Sequence, residues 1–575
     1  MRFDKLSISV SLRSVQAVPA MGICVSVKKQ SFWVAIVGIA LLVITVLNLS
    51  YPRATTLLGN TLLLAFGTAA GSLLLGSFLA FLLFRTDLPG SYAWVLLLIF
   101  PIFIPLPIFA GLWKSTLGIQ GLLANFTGTV FSVGMIPAMA THTIASLPWV
   151  ILIVGLGFLT VEAELEETAL LETSPLHVIW IVSVRRAWGS IVSAGLLVAT
   201  LTTTEISLTD LFQVRTYAEE VYTFYASQGA LPPLPLWNIP GHLLLASGMI
   251  AVLIGTFNIP PDRWTRMWRC HLFALRRWKW PAVVFLTLTT LGILGTLLCI
   301  LIFRVGLSSE RKTISTPTVT STLHPSTDQT LESNNSQWPQ RPPTVQYIRK
   351  WSIHTAVSSI WRCFVSRQNT WWLSLTCGVT ASLLTVGLLL PIIWLARDQK
   401  WVSVILSLLI GGLLATPGPM MALALIHFFN QGGALGYIYN STGILILGLG
   451  LRIAPVVCLC LWIPLQMIPA NIIEAGKTDV ADRLQMIRYI YLPLSLIPAS
   501  IALLGGTALS MGELSVTVLL HPPGLTPLSV DIFSSLHSGL YNQVAATTLL
   551  MLGFLFCTGL ILAIRMRTLK QPFSA

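Results

Sequence analysis

Two carboxylates stand at matching places in matching strings. Glu205 opens Glu205-Ile-Ser207-Leu-Thr209-Asp-Leu211, and 308 residues later Glu513 opens Glu513-Leu-Ser515-Val-Thr517-Val-Leu519. Both fall near the end of a long apolar run, where an ionisable group is costly unless it faces water or a partner. With Ser207 and Ser515 beside them, the pair suits a path or gate that favours a cationic or metal-bearing solute, because hard cations prefer oxygen ligands. It suits equally well two interfacial carboxylates that fix helix packing. No other set has the spacing of a catalytic or metal centre. Gly71-Ser-Leu-Leu-Leu-Gly76-Ser77 has the glycine spacing of a phosphate loop but lacks its lysine and lies inside an apolar run, so it reads as helix-packing glycine. His354, His427 and His521 stand apart, without H-E-x-x-H or a close carboxylate, and the eight cysteines are scattered without a C-x-x-C pair. No catalytic residue, metal site or cofactor is expected in this chain.

The elements that must hold these residues are membrane helices. Hydrophobic residues make up 54% of the 575, charged ones 10%, and mean hydropathy is +0.79, more apolar surface than a water-soluble core can hide. Runs of about 20 residues, enough for a bilayer core, occur at 32–49, 60–84, 91–113, 135–159, 190–212 and 241–258, then at 281–304, 370–396, 402–428, 442–466, 495–519 and 545–566. The net charge of +13 is spread between these runs, at Arg85, Arg185, Arg186, Arg397, Lys400 and in the cluster from Arg263 to Lys279. That is the placement of cytoplasmic Lys and Arg on a membrane protein, not of a nucleic-acid patch. It predicts both termini in the cytoplasm, an N-terminal tail over 1–31 and a basic linker over 259–280. Residues 305–368, rich in Ser, Thr, Pro, Asn and Gln through their first part, read as a disordered extracytoplasmic insert, with 351–368 on the membrane surface.

The two carboxylate strings belong to a wider repeat. Asn60-Thr61 recurs as Asn369-Thr370, Pro105-Leu-Pro107 as Pro417-Gly-Pro419, and Leu147-Pro148 as Ala454-Pro455, all in order and at nearly constant offset. Six runs in each half give both halves one orientation. The expected fold is an all-α polytopic membrane protein of about 12 transmembrane helices in two parallel six-helix repeats, 32–280 and 281–575, with any path along the axis between them.

Each half carries a cytoplasmic loop, 160–186 and 467–493, that reads as two short helices. Thr160 and Ser174-Pro175 are its expected helix starts in the first copy; an Asn471/Glu474 capping box and Asp482 serve in the second. The second reads EAGKTDVADRLQMIRYIYLP from Glu474 to Pro493. It resembles the EAA loop of ABC importer permeases, whose pattern is EAA, three residues, G, nine residues, I-x-L-P. Glu474, Ala475, Ile490, Leu492 and Pro493 match, while Gly476 replaces Ala and Val480 replaces Gly. The first copy, with Glu166, Glu167, Ala169 and Glu172, is weaker, and a one-residue deletion near Thr173 improves its fit. The stretches 60–90 and 512–530 resemble the ferric-iron branch of these permeases, which includes fused two-half chains.

The resemblance implies the type I importer permease fold in a bacterial inner membrane. It implies two ABC ATPase subunits docked inside on these loops, with ATP and Mg on those partners, and one solute-binding protein outside. Small Ala475 and Gly476 permit close approach, and Glu474, Lys477 and Asp479 offer rim contacts. The solute is expected to be ferric iron or a similar small species such as thiamine, a polyamine, phosphonate or sulfate. The alternative is a secondary transporter driven by an ion gradient.

Overall fold

A computed structural model of the chain describes residues 52–117, 133–228, 248–250, 252–253, 273–313, 345–479 and 483–570. The expected spans at 32–49 and 241–258 lie wholly or largely outside these residues, as do most of the linker 259–280 and residues 314–344.

Uninterrupted apolar runs fold here as long helices, because a backbone without water must satisfy its polar groups internally. Helix α1 spans Pro52–Arg85, α2 Ser91–Ile99, α3 Leu106–Leu117 and α4 Met135–Leu159. A short α5, Ala163–Glu172, precedes α6, in which Pro175–Val178 continues through a π turn, Ile179–Val184, into Arg185–Thr203. Short α7, Ser207–Leu211, and α8, Tyr217–Gln228, follow, and then the long α9, Arg276–Gly306. Strands β1, Leu307–Thr313, and β2, Val345–Trp351, pair antiparallel with Leu307 opposite Trp351.

Helix α10 is Ile353–Ser366, α11 Gln368–Asp398, α12 Lys400–Ala415, α13 Gly418–Phe429, α14 Ala434–Tyr439 and α15 Thr442–Gln466. Short α16, Ala470–Asp479, precedes α17, in which Arg483–Met486 passes through a π turn near the helix start, Ile487–Tyr491, into Leu492–Gly512; a further π turn, Leu291–Gly295, lies in the middle of α9. The chain ends in α18, Thr517–Leu520, α19, Leu528–His537, and α20, Tyr541–Lys570.

Among the described residues eight helices are long and apolar enough to cross a membrane, or ten if each bent pair counts as one span. Helices α1, α4 and α6 pack on one another, and so do α11, α15 and α17. Gly155 lets Phe84 of α1 press against α4, and Gly157 admits Ser190 of α6, so small residues set the closeness of the first trio. Outside this packing Phe66, Leu74, Ile136, Leu288 and Leu388 are each more than 60% exposed. A belt of this kind is stable against acyl chains, and the protein is membrane-embedded.

Three expectations change. The runs at 91–113 and 402–428 are not straight spans: α2 and its 3-10 extension meet α3 at 92°, and α12 meets α13 at 107°. Pro101, Pro105 and Pro107 break the first, Thr416-Pro417 the second, because proline lacks a donor and pushes the preceding residue out of the helical region. The segment 305–368 is ordered at both ends, through β1, β2 and α10, and α10 packs Ala356, Ile360 and Cys363 against the core. The caps also differ. Thr160 closes α4, its hydroxyl donating to the Gly157 carbonyl, and Asn471 lies inside α16, whereas the expected start at Ser174-Pro175 holds, with Ser174 at the N-cap position, though its hydroxyl makes no cap bond. Asp482 lies outside the described residues.

Candidate functional site

The two loops of interest sit where a long helix ends. In the first, Glu166 is fully buried on the inner face of α5, ion-paired to Arg85 at the end of α1, and accepts from the Ser183 hydroxyl at 2.5 Å. Glu167 and Glu172 are exposed and Ala169 is half-buried. In the second, Glu474 and Ala475 are exposed while Ile473 and Gly476 are buried, Gly476 against Ile490 and Met486. Pro493 starts the last stretch of α17, where Leu492 is exposed and Ile490 half-buried. The side chain of Asp479 lies outside the described residues. Counted from the equal-length helices α5 and α16, Glu167, not Glu166, stands opposite Glu474. The end of α1 is a hub. Arg85 donates to the Phe158 carbonyl at 3.2 Å, and Asp87 takes the Leu275 N–H at 2.8 Å and Lys279 at 2.9 Å. The Leu275 N–H first, and Lys279 second, hold the Asp87 carboxyl below the ordinary carboxylate value.

The two carboxylates of the matching strings lie just beyond the ends of α6 and α17 and line one cavity of about 180 Å³. Its lining comes from residues 101–207 and from residues 413–515. Glu205 is buried and caps its own α7: one oxygen accepts from the Ser207 N–H at 2.8 Å and from the Ser207 hydroxyl, the other from the Leu208 N–H at 3.0 Å. Glu513 accepts from the Val516 N–H at 3.3 Å and lies 3.6 Å from the guanidinium of Arg452, which also reaches the Thr204 hydroxyl at 3.4 Å. Ser515 lines the same cavity, packed against Gly418. The cavity thus holds two carboxylates and one guanidinium, and Arg452 of α15 ties the ends of α6 and α17 together.

Arg452 and His142 escaped the reading of the sequence. A lone arginine inside the apolar run 442–466 is the intramembrane charge that marks a site. His142 carries no flanking motif; it is buried on α4 at the cavity, its Nε2 without a hydrogen-bond partner among the described residues.

A second tie joins α7 to α19. His537 Nε2 faces the Asp210 carboxylate at 3.1 Å and its Nδ1 faces the Phe533 carbonyl at 3.1 Å. Both ring nitrogens thus meet acceptors, which favours the doubly protonated ring. The Asp210 hydrogen bond is the main cause of a raised His537 pKa, opposed by burial and by the Lys114 charge. A raised folded-state value means the stabilisation is complete below the unfolded value, about 6.5, and is lost as pH rises through the folded one. His537→Gln is therefore expected to lower the thermal stability of the purified protein at pH 6, by about 1 kcal/mol or less for so exposed a pair, and to leave it unchanged at pH 9. Equal loss at both values would exclude the charged contact.

Fold and site define a predominantly helical polytopic membrane protein with a small cavity lined by charged residues of α15 and of the ends of α6 and α17. In comparisons with known proteins the chain matches no family model and no curated protein.

Proposed function

We propose that this chain is the membrane subunit of an ATP-driven, binding-protein-dependent importer, an ABC permease with both halves in one polypeptide. The observation that carries the reading is the recurrence of one order of elements. A 25-residue helix (α4, α15), a 10-residue helix (α5, α16) and a helix interrupted near its start by a π turn (α6, α17) occur twice, the first two pairs 307 residues apart and the π turns 308. The change of offset falls between Glu172 and Pro175, beside Thr173. Each set is preceded by a long helix and a bent pair. In this reading the halves are parallel six-span repeats, with 32–49 and 241–258 completing twelve spans.

The short helices then lie in the cytosol and engage two ATPase subunits, which carry the ATP and Mg, while a solute-binding protein delivers cargo outside. Exposed Glu167 and Glu474 offer matched contacts, and the cavity between the halves is the path. Its size suits a small solute such as ferric iron; thiamine, a polyamine, phosphonate or sulfate belong to related permeases.

Arg452, Glu513 and His142 inside the cavity favour a second reading, a gradient-driven secondary transporter. Proteoliposomes holding the chain, with and without a co-expressed ATPase, separate the two. ATP-dependent uptake that a binding protein stimulates at least tenfold is expected. Uptake that follows an imposed ion gradient without any ATPase overturns the importer.

A further inference from the structure

The two short helices are attached to the membrane core by different means. In the first half one buried point joins four elements. Glu166 of α5 is ion-paired to Arg85 of α1, takes the Ser183 hydroxyl from the π turn of α6 at 2.5 Å, and shares Arg85 with the Phe158 carbonyl at the end of α4. Both charged side chains have no exposure at all. In the second half Arg397 takes the place of Arg85, donating at 2.6 Å to the carbonyl of Leu465, which lies 307 residues after Phe158, and at 2.6 Å to that of Ile468. The position opposite Glu166 is Ile473, buried by apolar contact. The arginine is retained, and the position matching Glu166 carries no carboxylate to hold it.

We propose that Arg85, Glu166 and Ser183 are positioning residues that bolt α5 to the bundle, so that the first short helix is a rigid lever and α16, resting on Ile473 and Gly476, a compliant one. A directional, charge-assisted contact fixes orientation as well as distance, whereas apolar packing permits sliding and tilting. A force applied to α5 therefore carries α1, α4 and α6 as one body. The same force on α16 is partly absorbed before it reaches α11, α15 and α17. This inference rests on the importer reading for its use, not for its geometry.

Spin-label distances in the full chain in nanodiscs, on a background without native cysteines, test it. One pair spans Leu171 and Trp188, exposed on α5 and α6; its counterpart spans Thr478 and Leu496, exposed on α16 and α17. The first distance distribution is expected to be at least twofold narrower than the second. Glu166→Gln is expected to widen it to the second's width, and Arg85→Lys, which keeps the charge, to widen it less. With the ATPase bound, Glu166→Gln should lower solute moved per ATP about tenfold, with hydrolysis within twofold of native. Equal widths in the native chain overturn the proposal, and that comparison needs no folded Glu166 variant. So does a Glu166→Gln variant of native width and native coupling. Failure of any ATPase to bind would sink the importer reading alone, since the distance widths still decide the bolt.

Discussion

Glu474→Arg is expected to release the ATPase and to reduce ATP-driven uptake to background, with the membrane bundle intact. Glu474 is exposed on α16, flanked by exposed Ala475 and by Ile473 and Gly476, which face inward. Reversing its charge disturbs nothing in the core, and surface changes of this kind cost about 0.5 kcal/mol or less. At a docked interface the same reversal removes a contact and sets like against like, a loss of about 2–5 kcal/mol, or roughly thirtyfold and more in affinity. Binding of the purified ATPase to the variant in nanodiscs, beside a thermal scan of the chain alone, checks both halves of the expectation. Native binding and uptake would remove α16 from the interface. Glu167→Arg, opposite Glu474 on α5, should act in the same direction.

Much of this could be read from residue types because long apolar runs in lipid have few alternatives to a helix. Met135–Leu159 and Thr442–Gln466 lie at the expected limits. What escaped depends on facing. A helix that is apolar all round carries no period to say which side meets a neighbour, and the short α5, AELEETALLE, has glutamates on several sides, so nothing local singles out Glu166 for burial or for its meeting with Arg85, 81 residues earlier in the chain. Glu205 shows the same limit: its string was legible, but not that its carboxylate is turned back to cap Ser207–Leu211. The bends at Pro105 and Pro417 are legible in the residues themselves, since proline at those places removes a backbone donor, leaves a carbonyl unpaired and breaks a straight span. Arg452 is a single charge in a 25-residue apolar run, 442–466, whose overall hydropathy hides it.

Arg452→Glu should be the most damaging change at the cavity. In the native chain the guanidinium sits 3.6 Å from Glu513 and 3.4 Å from the Thr204 hydroxyl, and Glu205 lines the same cavity. The arginine and Glu513 side chains are only 12% and 16% exposed, so water screens them weakly. A glutamate at 452 would stand against Glu513, share a cavity of about 180 Å³ with Glu205 as well, and lose the tie between the ends of α6 and α17. Reversing one member of so enclosed a pair costs about 3 kcal/mol or more, and uptake is expected to fall at least a hundredfold. Arg452→Gln, which removes the charge without adding another, should cost less. The exchange Arg452→Glu with Glu513→Arg restores opposite signs at the same two places, and should recover at least half of the lost thermal stability. Recovery of stability without recovery of uptake would make Arg452 part of the path as well as of the packing. Full uptake by Arg452→Glu alone would show that solute does not cross this cavity, and would move the path elsewhere between the helices.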